Sequence, residues 1–341
     1  MTLSLNRLLE PITIGKLTVS NRLVMPPMAS GKTTKEGRVT DETCDYYGKR
    51  AEGGHIGLII VEHAFVSLEG KAHKGQMSIA EDGDIQGLQE LTSTIHKDGT
   101  KVFAQISHAG SATSPSITGC ETVSASAVQS SSGNISREMK QEDIEKVILD
   151  FTAAAARAQK AGYDGVEIHS AHGYLLNQFY SPLTNHRTDI YGGQHLESRL
   201  KLHIQIINAI RQEVGTEFPI AIRLGACDYR AGGTSLEDSI LAAQRLEEAG
   251  IDLLDISGGL CGPYRPELKI PGYFSELSEE IKKYVSIPVL VTGGITDILE
   301  AERLLEEDRA DMVGVGRAMR QDWEWVKKQC RKMTDKTNAC I

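Results

Sequence analysis

Short apolar runs alternate with longer amphipathic stretches from about Arg22 onward. Eight of the short runs are rich in Val, Ile and Leu: 23–26, 58–62, 102–107, 165–169, 220–224, 253–257, 289–292 and 312–315. A half-exposed strand would alternate apolar and polar positions. Mostly continuous runs of this length predict parallel strands buried on both faces. Between them, 141–161, 196–214 and 236–249 place apolar residues three and four apart, and Gly162, Gly215 and Gly250 follow as stop signals. Strand and helix alternating eight times predict an α/β fold, a (β/α)8 TIM barrel. An open doubly wound sheet is the competing arrangement, but no G-x-G-x-x-G fingerprint follows the first strand.

Two segments depart from the repeat. Residues 1–21 are expected to form a capping hairpin under the barrel. The stretch 111–137, rich in Ser, Thr and Gly, is expected to make an irregular excursion after the third strand. With no linker or composition break, 1–341 reads as a single domain, a length that barrels reach as one unit.

Charge and composition narrow the partners. A formal net charge of −9, with both signs interspersed, argues against nucleic acid and anionic membrane surfaces. The N-terminus has no apolar run with a cleavage site, and runs such as 56–61 are too short to span a bilayer. Six cysteines are scattered without a C-x-x-C pair, which disfavours a zinc ribbon or a local iron–sulfur cluster and fits a reducing cytoplasm.

Barrel chemistry sits at the C-terminal ends of the strands. The first ends in Met25-Pro26-Pro27-Met28-Ala29, either a rigid platform for a planar ring or an ordinary strand-ending turn. The third carries Gln105, whose amide could pair with a ring edge or be a polar loop residue. The fourth delivers His169, His172 and Tyr174. Two imidazoles could grip an oxygen gaining negative charge while a phenol supplies a proton. His-x-x-His also suits a metal, which would need a third ligand, or a structural pair. Arg223 emerges from the buried fifth strand and needs an anionic or electron-rich partner, or else an ion pair with Glu167 or Asp255. Gly293 and Gly294 end the seventh strand, and Gly316 and Arg317 follow the eighth, where this fold holds phosphates. Together these residues describe a planar ligand with a phosphate tail across the barrel mouth, as FMN would lie.

The residues resemble the Old Yellow Enzyme family. The match runs through Asn21 to Met28, Gln105 with His108-Ala109-Gly110, the long run from Gly165 to Phe179, and the segments Ser181-Pro182, Asn185 to Asp189 and Tyr191-Gly192-Gly193. The resemblance implies an FMN-dependent ene-reductase that takes hydride from NADH or NADPH and passes it to the C=C bond of an α,β-unsaturated carbonyl. Carried onto this chain, His169 and His172 hold the carbonyl oxygen and Tyr174 donates the proton. Pro26, Pro27, Met28, Ala29, the backbone near His63, Gln105, Arg223, Gly293, Gly294, Gly316 and Arg317 bind FMN. The resemblance also implies a homodimer or homotetramer. Three positions depart from the usual pattern. His172 stands where many members have Asn, and keeps a donor. Ala29 replaces a Thr or Cys that touches the flavin, and His63 replaces a small residue. The cysteine spacing of the larger iron–sulfur relatives is missing, so the short form is expected. The competing functions are an FMN barrel reductase of nitro compounds, quinones or dihydropyrimidines, a metal-dependent phosphate-binding lyase or isomerase, and a flavin carrier without catalysis.

Overall fold

The computed structural model describes residues 5–129, 135–265, 267–268 and 270–338, with backbone alone from 332. Eight parallel strands close into a barrel: β1 (Leu23–Met25), β2 (Leu58–Phe65), β3 (Lys101–Ser107), β4 (Gly165–Ser170), β5 (Ile220–Gly225), β6 (Leu253–Ser257), β7 (Val289–Thr292) and β8 (Met312–Gly314). β8 pairs with β1 to complete the ring. Nearly every strand residue is buried, because helices cover the outer face and side chains fill the lumen.

The helices expected from the amphipathic stretches form at Gln141–Lys160, Leu196–Val214 and Leu236–Glu248, within one residue of the expected ends. The strand ends agree to within a residue except at β2. It runs three residues past the expected stop, with a register shift between Val61 and Ala64. His63 lies in that shift. A polar residue there breaks the apolar run, so the sequence pattern ends before the strand does.

The N-terminal hairpin pairs Ile12–Ile14 with Leu17–Val19. Ile14 and Val19 plug the bottom of the lumen against Val24, Leu58, Ile60, Phe103, Ala221, Leu253, Leu290 and Met312. On β4 the lumen position is Gly165, where a Cβ would lie 2.6 Å from Phe103 Cε1. Glycine there makes room for the phenyl ring. Two residues further along the strands, the next inward positions are Gln105, Glu167, Arg223, Asp255 and Thr292. The lumen therefore changes from apolar to polar over one step of the pleat. The excursion after β3 contains a short helix, Pro115–Thr118, and a two-residue strand pair, Val123–Ser124 with Arg137–Glu138. Its residues 130–134 lie outside the described residues, as do 1–4 of the expected cap and positions 266 and 269. Among the described residues no helix is long and apolar enough to cross a membrane.

Candidate active site

The C-terminal mouth of the barrel holds a cavity of about 290 Å³. Pro26, Pro27, Met28, Ala29, His63, His172, Arg223, Gly293, Gly294, Gly316 and Arg317 all line it. His169 and Tyr174 pack against its lining residues His172 and His63, and Gln105 is buried on β3 with its amide donating to Glu167 Oε1. The His169 ring is 5.1 Å from His172 and 4.9 Å from Tyr174, and Tyr174 lies 5.5 Å from His63, between centroids. The structure thus brings together residues from six of the eight strand ends.

The turn after β4 explains how both imidazoles reach one place. His172 has φ 59° and Gly173 φ 75°, so the chain reverses through left-handed backbone. A non-glycine residue there costs about 1–2 kcal/mol. Hydrogen bonds of about 0.5–1.5 kcal/mol each offset that cost. His172 Nε2 meets Ser257 Oγ at 2.8 Å, and Gly173 N donates to Asn177 Oδ1 at 2.8 Å. Gln178 ties the turn to the β3 loop, with Nε2 donating to Gly173 O and Ala109 O.

Burial governs protonation here. It holds His169 and His172 well below the ordinary imidazole value, reinforced by neighbouring imidazole and Arg223 charge, so both are neutral near pH 7. His63 is held down at about 3, again chiefly by burial. Burial pushes the Tyr174 phenol up to about 12, so it keeps a proton to give. His169 Nδ1 is buried with no hydrogen-bond partner.

Gln76 was invisible as a site residue in the sequence, yet it sets the state of His63. It is fully buried, and its Oε1 accepts from Ala72 N at 2.6 Å. A backbone N–H can only donate, so the amide orientation is fixed. Gln76 Nε2 then donates to His63 Nδ1 at 2.7 Å. His63 consequently carries its proton on Nε2 and adds a third neutral imidazole to the mouth. Ser257 and Asn177 were likewise missed. Neither carried a local motif, because their roles arise only when strands meet.

Arg223 is pinned from two sides. Its Nη2 donates to Thr292 Oγ1 at 3.0 Å, and Nε lies 3.2 Å from Asp255 Oδ2. Of the two carboxylates expected as ion partners, Asp255 makes the salt bridge. Across the mouth, Gly293 and Gly294 have φ 132° and 71°, and a Cβ on either would lie 2.8 Å from the Tyr273 ring. These glycines therefore admit Tyr273 as well as opening the loop. A Cβ on Gly316 would lie 3.2 Å from Met28 Sδ. Arg317 lies 5.3 Å from the Tyr264 ring centroid. Among the described residues neither Arg317 nor Arg320 makes a close salt bridge, although both border the cavity and Arg320 acts on the buried Glu62 carboxyl through space. Two guanidinium groups without a close ion pair beside a glycine-lined loop suit a phosphate, Arg317 most directly because no carboxylate among the described residues acts on it.

A model of the NADH:flavin oxidoreductase / NADH oxidase family matches residues 7–336. The chain belongs to that family. It is 42% identical over 336 residues to an NADH oxidase of Thermoanaerobacter brockii, a match covering 96% of this chain and 51% of the relative. An NADPH dehydrogenase of Geobacillus sp. (strain WCH70) is 35% identical, covering 98% of this chain and 96% of that protein. The chain thus spans about half the length of some curated relatives and nearly all of others. Among solved structures, a 2-naphthoyl-CoA reductase complex superposes with TM-score 0.90 at 31% identity, covering 96% of this chain and 53% of that one. An old yellow enzyme homologue from Zymomonas mobilis superposes with TM-score 0.81 at 28% identity, covering 95% of this chain and 92% of that one. The family's flavin oxidoreductases draw hydride from NADH or NADPH and use FMN. The barrel mouth described above fits that cofactor in its arginines, glycines and proline platform.

Among the described residues, no three His, Cys, Asp or Glu side chains cluster to hold a metal ion. The third ligand required by a metal reading of His169 and His172 is therefore missing, and His172 Nε2 is occupied by Ser257 Oγ.

Proposed function

We propose that this barrel is an NAD(P)H-dependent ene-reductase acting on the C=C bond of α,β-unsaturated carbonyl compounds. The observation that carries the reading is the convergence at one mouth of His169, His172 and the Tyr174 phenol, in a cavity also bordered by Arg317, which makes no salt bridge among the described residues. Bound FMN would supply the two-electron hydride chemistry. Arg317, Gly294 and Gly316 would hold its phosphate, Pro26 to Ala29 would support the ring, and Gln105 and Arg223 would meet the pyrimidine edge.

The remaining steps belong to the side chains. His169 donates an N–H group to the carbonyl oxygen, and His172 does so from Nδ1 while its Nε2 accepts from the Ser257 hydroxyl; both are neutral, so they polarise without giving up a proton. Tyr174 donates the phenolic proton to the α-carbon. The described residues act as one unit, and the five described cysteines, all free, suit a reducing compartment such as the cytoplasm. A small enone-type molecule is the partner this reading needs. Assembly into a homodimer or homotetramer rests on the resemblance alone.

Stopped-flow bleaching of the FMN-loaded protein tests the reading. NADH or NADPH should bleach the flavin, and 2-cyclohexenone should restore it faster than nitro substrates do. Reoxidation by nitro compounds or quinones, with none by enones, would favour the alternative reductase. A protein that purifies colourless and binds no FMN would sink both.

A further inference from the structure

Below the mouth lie two carboxyls that the proposed reaction does not use. Glu167 and Asp255 are both fully buried, flanking Arg223 in the lumen. Glu167 Oε1 accepts from Gln105 Nε2 at 2.7 Å, but Oε2 has no hydrogen-bond partner. Neither oxygen of Asp255 accepts a hydrogen bond, although Oδ2 is within ion-pair distance of Arg223 Nε. The floor beneath is apolar, built from Phe103, Ala221, Leu253 and Leu290. One guanidinium against two ionised carboxylates would leave an uncompensated negative charge in a dry lumen, and buried charges of that kind neutralise instead. A single proton resolves both deficits, because a protonated Glu167 offers a donor to an Asp255 that lacks one.

We propose that Glu167 and Asp255 share one proton at rest and take up a second when the cofactor above Arg223 is reduced. The inference rests on the FMN reading given above. The electrons arrive with the nicotinamide's hydride. The extra proton comes from solvent and forms one O–H bond on Asp255; no other bond changes in the pair. The pair is also a positioning device. Glu167 fixes the Gln105 amide so that its oxygen is left for the ring edge, and Asp255 holds Arg223.

Burial raises Glu167 well above the carboxylate range, with the Asp255 charge adding to it. Burial likewise brings Asp255 up to about 6, against the opposing pull of Arg223. The other groups facing the pair cannot substitute for it. Gln105 on β3 and Thr292 on β7 do not titrate. His63 from β2, and His169 and His172 from β4, are held neutral by burial.

Potentiometry of the FMN-loaded protein from about pH 5 to 9 reads the second proton. A two-electron couple moves 29.6 mV per tenfold change. One proton per reduction therefore gives about 30 mV per pH unit, and two give about 59. Below about pH 6 Asp255 is already protonated, so the slope should be near 30 mV. Above that it should steepen toward 59 mV, and Asp255→Asn should remove the steep segment. A wild-type slope near 30 mV throughout, or a steep segment surviving in Asp255→Asn, would overturn the proposal. Infrared spectroscopy of the resting protein at pH 8 is a second arm that needs no bound flavin. It should show the C=O stretch of a buried carboxylic acid, lost in Glu167→Gln. Its absence from the wild type would also overturn the shared proton. Failure to bind FMN would sink the functional reading and leave the infrared arm to decide the resting state.

Discussion

Ala29 and His63 alter the donor set of the mouth in opposite directions. Alanine offers the ring no hydrogen bond, whereas His63 brings an Nε2–H that Gln76 fixes in place. Ala29→Thr should therefore raise the bound flavin's midpoint potential, since a donor to the ring stabilises the reduced form more than the oxidised one. Equal potentials for the two proteins would reject that. Gln76→Leu removes the acceptor of Ala72 N and the donor to His63 Nδ1 together. Orphaned buried polar groups cost about 1–3 kcal/mol, which urea unfolding should register as a lower midpoint. An unchanged midpoint would mean that the amide does not hold this corner.

At the scale of elements, periodicity revealed the barrel because buried parallel strands are apolar on both faces. It failed where polarity is local. β2 outruns its apolar stretch because His63 interrupts it, and no pattern in 58–65 foretells the register shift. The candidate site was legible for the same physical reason as the fold: strand ends can be counted. Gln105, His169 and Arg223 lie in or at the ends of apolar runs, and His172 and Tyr174 come within five residues of one. Gln76, Ser257 and Asn177 were not legible, because each meets its partner only after the chain has closed on itself. Gly293 and Gly294 had a reason beyond the one assigned, since they also admit Tyr273. Gly165 has a comparable role, which gives a test of the lumen plug. Gly165→Ala would drive a methyl to 2.6 Å from Phe103, and overpacking of this kind costs about 1–3 kcal/mol. Gly165→Ala with Phe103→Leu should recover part of the loss. Additive losses in the double variant would contradict the coupling.

Over the whole molecule, burial of neutral imidazoles links stability to pH. His63 is held at about 3, His108 and His203 at about 4, and His169 and His172 well below their ordinary value, all mainly by desolvation. Unfolding lets each take a proton near its free value of about 6.5. Their contribution is therefore complete above pH 6.5 and is lost as pH falls from there toward the folded values. Glu62, Asp150, Glu167 and Asp255, shifted upward, pull the other way but are fewer. The urea midpoint should fall between about pH 6.5 and 5. A midpoint that rises over that interval would mean that the carboxyls dominate.

The mouth is the point on which residue, element and molecule converge, and its chemistry separates into two halves. Hydride delivery to the flavin needs no phenolic proton, whereas reduction of the alkene does. Stopped-flow measurement of both half-reactions in Tyr174→Phe is the most direct examination. Bleaching by the nicotinamide should proceed at close to the wild-type rate, while reoxidation by 2-cyclohexenone should slow by about 10²–10⁴-fold. Equal loss in the two halves, or none in the second, would contradict the role given to Tyr174 and with it the arrangement proposed around His169 and His172.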